Sequence, residues 1–341
     1  MGRLSDFISS LKGEDHSRIP VWFMRQAGRY LKGYSQFRKS YSIKDLCMNP
    51  EMTGEITYEP VMELGVDAAI IFFDIMLPAE ALGFGVDFRE NQGPVIENSL
   101  ASDPTMKKLH DFNSSDFLYP LGTSIRNFKE THNNVPIIGF AGGPLTIASY
   151  LMAGSSDRDL SFLKKILGSD TSSFRRIMKM VTEMVIEVAK IQIRAGSSAI
   201  QIFDSWSGNL SPYTFSQYVK PYLEEIVSDL SGSVPLIYFS TSTAGILKEI
   251  FSLGFDFLSL DWRMNLKDVM EIYGMKAGLQ GNLDPYLVER FPDQAFREAL
   301  IIARGMKDSD RYIFNLGHGV LPGTEVKTLK KIVEIVHGVE R

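Results

Sequence analysis

The chain has 341 residues, 44% of them hydrophobic and 23% charged, with 36 Lys and Arg against 41 Asp and Glu and a formal net charge of −5. That is an ordinary globular composition, long enough for two average domains or for one large α/β barrel. The charge argues against a general nucleic-acid partner, no apolar stretch approaches the roughly 18 residues of a membrane span, and the single cysteine, Cys47, excludes an intrachain disulfide or a zinc site built on two thiolates.

The first twenty residues, MGRLSDFISSLKGEDHSRIP, contain no apolar core of the secretory type, so a reducing, cytoplasmic location is expected. Residues 1–40 carry eight Lys and Arg against three acids, and between Asp15 and Asp45 seven cations occur without one carboxylate. The cluster is either a solvated basic face or a surface for an anion.

Eight short apolar runs then recur along the chain: IPVWFMRQAGR (19–29), DAAIIFFD (67–74), VPIIGFAGGP (135–144), SSAIQIFDSW (197–206), VPLIYFSTST (234–243), FDFLSLDWR (255–263), KAGLQGNLD (276–284) and RYIFNLGHG (311–319). Most lack strict alternation, as parallel strands covered on both faces do. Between them lie segments with helical spacing. Phe174 to Ile193 is the clearest, with Ile177, Met180, Val181, Met184, Val185 and Val188 on one stripe, and Pro221–Leu230 and Ala295–Met306 are shorter examples.

Eight β-then-α units over residues 1–341 predict one (β/α)8 TIM barrel of the α/β class. Spare length falls after the second strand, where FGVDFRENQGPVI reads as a β-ribbon within residues 75–134. It falls again after the third, where residues 145–173 form an extra helical excursion broken at Gly154 and Ser155. A doubly wound sheet is the other fold of this pattern, but no GxGxxG or phosphate-binding loop follows any strand.

Barrel enzymes carry their reactive groups at the C-terminal ends of the strands. Here those ends offer Arg25 and Arg29, Asp74, Gly142 and Gly143 followed by Tyr150, Asp204 and Ser205, Ser240 and Thr241, Asp261, Asn282 and Asp284, and His318. Two arginines four residues apart around Gly28 suit an anionic substrate, since guanidinium forks bind carboxylates or phosphates in two-point fashion. Asp74 ends an otherwise apolar strand; it is either a helix cap or a carboxylate whose pKa is raised by desolvation. His318, in a glycine-rich turn, is either a satisfied buried histidine or a site residue.

Seven motifs taken together go further. PVWFMRQAGRYL (20–31), FFDIMLPAEALG (72–83), GFAGGPLTIASYL (139–151), IQIFDSWSGNLSP (200–212), LSLDWR (258–263), LQGNLDP (279–285) and NLGHGVLPGT (315–324) resemble, in order and over nearly the whole chain, the uroporphyrinogen decarboxylase family. The resemblance implies a cytosolic, homodimeric, single-domain distorted (β/α)8 barrel. It implies an enzyme of haem biosynthesis that converts the four acetate arms of uroporphyrinogen III to methyl groups, giving coproporphyrinogen III, with no metal or prosthetic group and no nucleic-acid or membrane partner.

Carried over position by position, the implied substrate-binding residues are Arg25, Gln26, Ala27, Gly28, Arg29, Arg38, Ile43, Asp74, Tyr150, Ser205 and His318, with Asp74, Arg25 and Arg29 in the chemistry. The sequence departs from the family pattern at Lys32 and Gly33, usually Pro-Glu, at Leu145, usually tryptophan, and at Ile43, which stands for a pocket phenylalanine across a one-residue gap. Two other readings compete. One is a zinc-dependent corrinoid:thiol methyltransferase of the same barrel superfamily, although the strand that would carry its His-x-Cys pair reads YFSTSTAG. The other is a non-catalytic tetrapyrrole-binding protein.

Overall fold

Apolar runs without alternation become parallel strands buried on both faces. The computed structural model describes residues 2–89, 93–110, 112, 118–274 and 276–341, with the side chains of residues 2–5 left aside. Its strands, in chain order, are β1 (Ala69–Ile70), β2 (Val86–Arg89), β3 (Gly93–Ile96), β4 (Ile137–Gly142), β5 (Ala199–Phe203), β6 (Leu236–Phe239), β7 (Phe257–Ser259), β8 (Gly278–Leu283) and β9 (Tyr312–Leu316). Seven of them form one parallel sheet in the order β1-β4-β5-β6-β7-β8-β9, and β4, β8 and β9 are buried at every position.

The first expected strand, residues 19–29, differs. It contributes a single parallel bridge, Val21 to Phe314, in which Phe314 N donates to the Pro20 carbonyl at 2.9 Å and Trp22 N to the Phe314 carbonyl at 3.3 Å. Asp67 N donates to the Val21 carbonyl at 2.8 Å, so this segment still joins β9 to the start of β1 and closes the ring. Three of its other N–H groups are taken by side chains. Val21 N bonds Asp67 Oδ2 at 2.8 Å, Phe23 N bonds Gln26 Oε1 at 3.1 Å and Met24 N bonds Asn315 Oδ1 at 3.1 Å. A backbone satisfied by side chains has no ladder to offer.

Both excursions fall where the sequence placed them. After β1 come a 3-10 turn (Leu77–Leu82), the antiparallel ribbon β2–β3 with Val86 opposite Ile96, and the helix Tyr119–Thr131; residues 90–92, part of the predicted ribbon, lie outside the described residues. After β4 come the helices Pro144–Ala153 and Ser161–Ser169, separated where Gly154 takes a left-handed φ of 89°. The stripe read at Phe174–Ile193 belongs to a longer helix, Thr171–Ala195, whose first turn is capped by Asp170 accepting from Ser173 N at 3.1 Å.

Polar contacts cross the barrel interior, between neighbouring and more distant strands alike. Gln280 Nε2 on β8 donates to Gln201 Oε1 on β5 at 2.9 Å and to Ser259 Oγ on β7 at 2.8 Å, while Trp22 Nε1 donates to Gln280 Oε1 at 2.9 Å. All four side chains are fully buried, and the network stiffens the ring beneath its mouth. Below the strands, at their N-terminal ends, Asp67 takes Arg18 Nη2 at 2.5 Å and His337 Nε2 at 2.7 Å, tying both chain ends to the barrel. Among the described residues no helix is long and apolar enough to cross a membrane.

Candidate active site

The loops at the C-terminal ends of the strands surround a cleft of about 310 Å³. Its walls are aromatic: Phe72 and Phe73 after β1, Phe140 on β4, Phe203 on β5 and Phe239 on β6. Phe203 meets Phe140 and Phe239 edge-on, at 5.5 and 5.7 Å between centroids. Of the residues the sequence nominated, Arg25, Ala27, Ile43, Asp74, Ser205 and His318 line this cleft.

Asp74 stands on the loop directly after the Phe72–Phe73 pair. One oxygen accepts from Met76 N at 2.7 Å, so the carboxylate does organise the 3-10 turn that follows, and it also lines the cleft. Burial pushes its pKa up to about 6, against the opposing pull of the Met76 and Leu77 amides and of Arg25. At neutral pH it is mostly ionised, held in that state by partners that only partly replace water.

Arg25 adopts a left-handed φ of 59°, which turns the chain out of the barrel wall, and its side chain is open to the cleft. It passes so close over Gly319 that a Cβ there would lie 2.5 Å from Arg25 Cδ, so glycine at 319 gives the guanidinium its path. The low-dielectric walls draw the Arg25 pKa down, with Tyr150 and Asp74 countering and Arg158 adding to the fall. A guanidinium remains charged under such conditions.

His318 is neutral. Burial, reinforced by the charges of Arg25 and Arg158, pulls its pKa down to about 4. Nδ1 accepts from Gly319 N at 2.7 Å, which leaves the proton on Nε2 as a donor. The ring packs edge-on against Phe239 at 5.8 Å.

The remaining nominees divide by position. Tyr150 is half-buried on the helix Pro144–Ala153, tilted over Trp206 at 5.0 Å and hydrogen-bonded to Ser156; burial pushes its phenol pKa up. Arg29, exposed, and Arg38, half-buried, act on Tyr34 of the cleft wall, where both charges favour the phenolate. Arg38 Nη1 donates to the Tyr41 carbonyl at 2.5 Å. Gly28 lies where a Cβ would meet the Tyr30 ring at 2.8 Å. Gln26 is fully buried and its amide is spent inside the loop, accepting from Phe23 N and donating to the Ala68 carbonyl at 3.1 Å. Its side chain braces Arg25 and its neighbours from behind.

Several other polar strand ends turn out to be structural. Asp204 accepts from Thr146 N and Ser207 Oγ, each at 2.8 Å, and a Cβ on Gly143 would fall 2.2 Å from its own Cβ. Asp261 binds Ser242 N and Arg263, Asn282 Nδ2 donates to the Asp261 and Met264 carbonyls, and Asp284 caps the helix Pro285–Arg290. The sequence reading missed Tyr34, which lines the cleft, and Arg158, whose charge reaches Arg25, Tyr150 and His318. Cys47, fully buried, also neighbours Asp74, and burial raises its thiol pKa far from thiolate chemistry. Among the described residues no group of three or more His, Cys, Asp or Glu is arranged to hold a metal ion.

A desolvated carboxylate beside Arg25, over an aromatic wall at the mouth of a parallel barrel, is the layout of an α/β-barrel enzyme's active site. The family model described as uroporphyrinogen decarboxylase (URO-D) matches residues 3–339. Relatives named uroporphyrinogen decarboxylase from Thermoplasma acidophilum and Picrophilus torridus are 43% and 44% identical to this chain, each over 98% of it and 99% of their own length. A solved methyltransferase from Methanosarcina mazei superposes with a TM-score of 0.80 at 22% identity, over 98% of both chains, and so shares the fold. The chain belongs to the uroporphyrinogen decarboxylase family.

Proposed function

We infer that this protein removes carbon dioxide from the four acetate arms of uroporphyrinogen III to give coproporphyrinogen III, a step of haem biosynthesis. Family membership supports the reaction. The single structural observation that supports the mechanism is the Asp74 carboxylate set in an aromatic cleft beside Arg25.

Loss of carbon dioxide from an arm on a pyrrole leaves an electron pair that needs a sink, and the substrate supplies it. A proton adds to the ring carbon next to the one bearing the arm, making the ring an iminium-like cation. The bond to the carboxylate breaks, and its electron pair moves into the ring system to leave an exocyclic methylene. A second proton adds to that methylene, and the first leaves the ring carbon to restore the pyrrole. In sum one proton replaces one carbon dioxide.

Asp74 accepts hydrogen bonds from the inward-facing pyrrole N–H groups and faces the cation as it develops. At an effective dielectric near 20, opposite charges about 4 Å apart interact by about 4 kcal/mol. Realised mainly in the transition state, that is worth nearly three decades in rate. Arg25, Arg29 and Arg38 hold substrate carboxylates, and Arg25 also helps to keep Asp74 charged. Tyr150 and Ser205 donate to a carboxylate, His318 donates through Nε2 to a propionate arm, and Ala27, Gly28 and Ile43 shape the wall behind them.

In this reading the whole chain works as one barrel domain, as a homodimer in the cytoplasm, without a metal or prosthetic group. Anaerobic incubation with uroporphyrinogen III in the presence of a chelator tests it. Stepwise loss of four carboxyl groups, followed by chromatography, is the expected result; unchanged substrate bound tightly to the protein would mark a carrier instead.

A further inference from the structure

Arg158 lies on the loop between the helices Pro144–Ala153 and Ser161–Ser169, within the excursion that follows β4. Three contacts fix that loop against the cleft. The Arg158 carbonyl accepts from Asn209 Nδ2 at 2.7 Å, which pins it to the turn Ser207–Asn209 that follows Ser205 and Trp206. Ser156 bonds Tyr150, whose ring leans on Trp206. Asp157 accepts from the amides of Ser161, Phe162 and Leu163 at 3.0 to 3.2 Å and so anchors the start of the next helix.

These commitments leave Arg158 distinctive. Of its two acidic neighbours Asp157 is spent on the helix start and Asp159 forms no ion pair with it, the Arg158 side chain is exposed, and it enters no ion pair among the described residues. The bonds from Asn209 to the Arg158 carbonyl and from Ser156 to Tyr150 set this loop at the rim of the mouth, and the Arg158 charge acts on Arg25 of the first segment, Tyr150 of the excursion and His318 of the last loop. Arg25 and Arg158 are like charges acting on one another, offset only in part by Asp74 beside Arg25, and a carboxylate placed between them relieves that repulsion.

We propose that Arg158 binds a substrate carboxylate on the Tyr150 side of the mouth, beyond those held by Arg25, Arg29 and Arg38, and so helps select a polycarboxylated substrate. This rests on the decarboxylase reading above and adds to it a residue that contributes to binding rather than to bond breaking. A contact made equally in the bound state and the transition state raises affinity and leaves the chemical step unchanged.

The test is anaerobic steady-state kinetics of the full chain with uroporphyrinogen III, comparing wild type, R158A and R158K. The expected result is a KM raised about tenfold in R158A with kcat within about twofold, most of the loss recovered in R158K, and a KM less sensitive to added salt in R158A than in wild type. An unchanged KM in R158A, or a fall in kcat alone, overturns the Arg158 assignment and leaves the decarboxylase reading in place. A raised KM that R158K fails to lower, accompanied by a lower Tm, marks the loop as structural and overturns it too. Absence of turnover by the wild type overturns the underlying reading and the assignment with it.

Discussion

Two aspartates flank β1, Asp67 two residues before it and Asp74 four residues after it, and they live in opposite electrostatic conditions. Asp67, below the strand, is fully buried and completely engaged: Arg18 Nη2 at one oxygen, Val21 N and His337 Nε2 at the other. Asp74, above it, has the Met76 amide at one oxygen and a pKa pushed up to about 6. The lower carboxylate is matched by the protein itself. The upper one is left partly unmatched in a cleft, which is the condition in which a charge developing on a bound molecule gains most from it. In the proposed reading this one strand carries the division of labour of a barrel, with stability at its N-terminal end and chemistry at its C-terminal end.

Substitution at the lower site breaks the comparison from the side of stability. Asp67→Asn strips the charge from the bond to Arg18 and unbalances the His337 contact, so unfolding should become easier by about 3 kcal/mol, or roughly 5 °C in Tm. Thermal denaturation measures this, and kcat of the folded fraction should stay near that of the wild type. A variant with normal Tm and impaired kcat would reverse the roles assigned to the two ends.

pH sharpens the comparison next. Because the folded-state pKa of Asp74 lies above the unfolded value, the native state holds this proton more tightly between about pH 4 and 6; the associated stabilisation is present at low pH and is lost as pH rises through about 6. Activity runs the other way, since the carboxylate is the working form. kcat/KM should fall about tenfold per unit as pH drops below about 6, while Tm shows no loss attributable to this group over that window. A profile flat down to pH 5 would contradict it.

The smallest effect is expected at His318. Its pKa of about 4 makes it a neutral donor throughout the working range, so His318→Gln, which keeps an N–H donor, should raise KM only a few-fold with kcat nearly unchanged. A loss of turnover by orders of magnitude in steady-state assays would give the ring a proton-transfer role instead.

Much of this arrangement could be read from the residues alone, for identifiable reasons. Unbroken apolar runs marked seven ladder strands because parallel strands are covered on both faces, and glycine at 154 marked the break in the excursion because a left-handed turn ends the helix there. The first run misled by degree: its apolar residues do close the barrel, but Asp67, Gln26 and Asn315 capture its amides, a competition that spacing does not reveal. At the mouth, Asp74, Arg25 and His318 stood out as polar residues ending apolar strands. Asp204, Asp261 and Asn282 shared that pattern and serve the loops, because strand position alone does not distinguish a carboxylate facing a cleft from one facing backbone amides. Arg158 escaped notice because SSDRD reads as a solvated break, and its place depends on Asn209, 51 residues away.

The central claim is that the carboxylate of Asp74 stabilises a cation that forms only during reaction. Asp74→Asn keeps the shape and the bond from Met76 N while removing the charge, so uroporphyrinogen turnover by this variant is the direct measurement. The account predicts kcat lower by about three orders of magnitude, with KM little changed and Tm no lower than that of the wild type. A kcat within a few-fold of the wild type would contradict it.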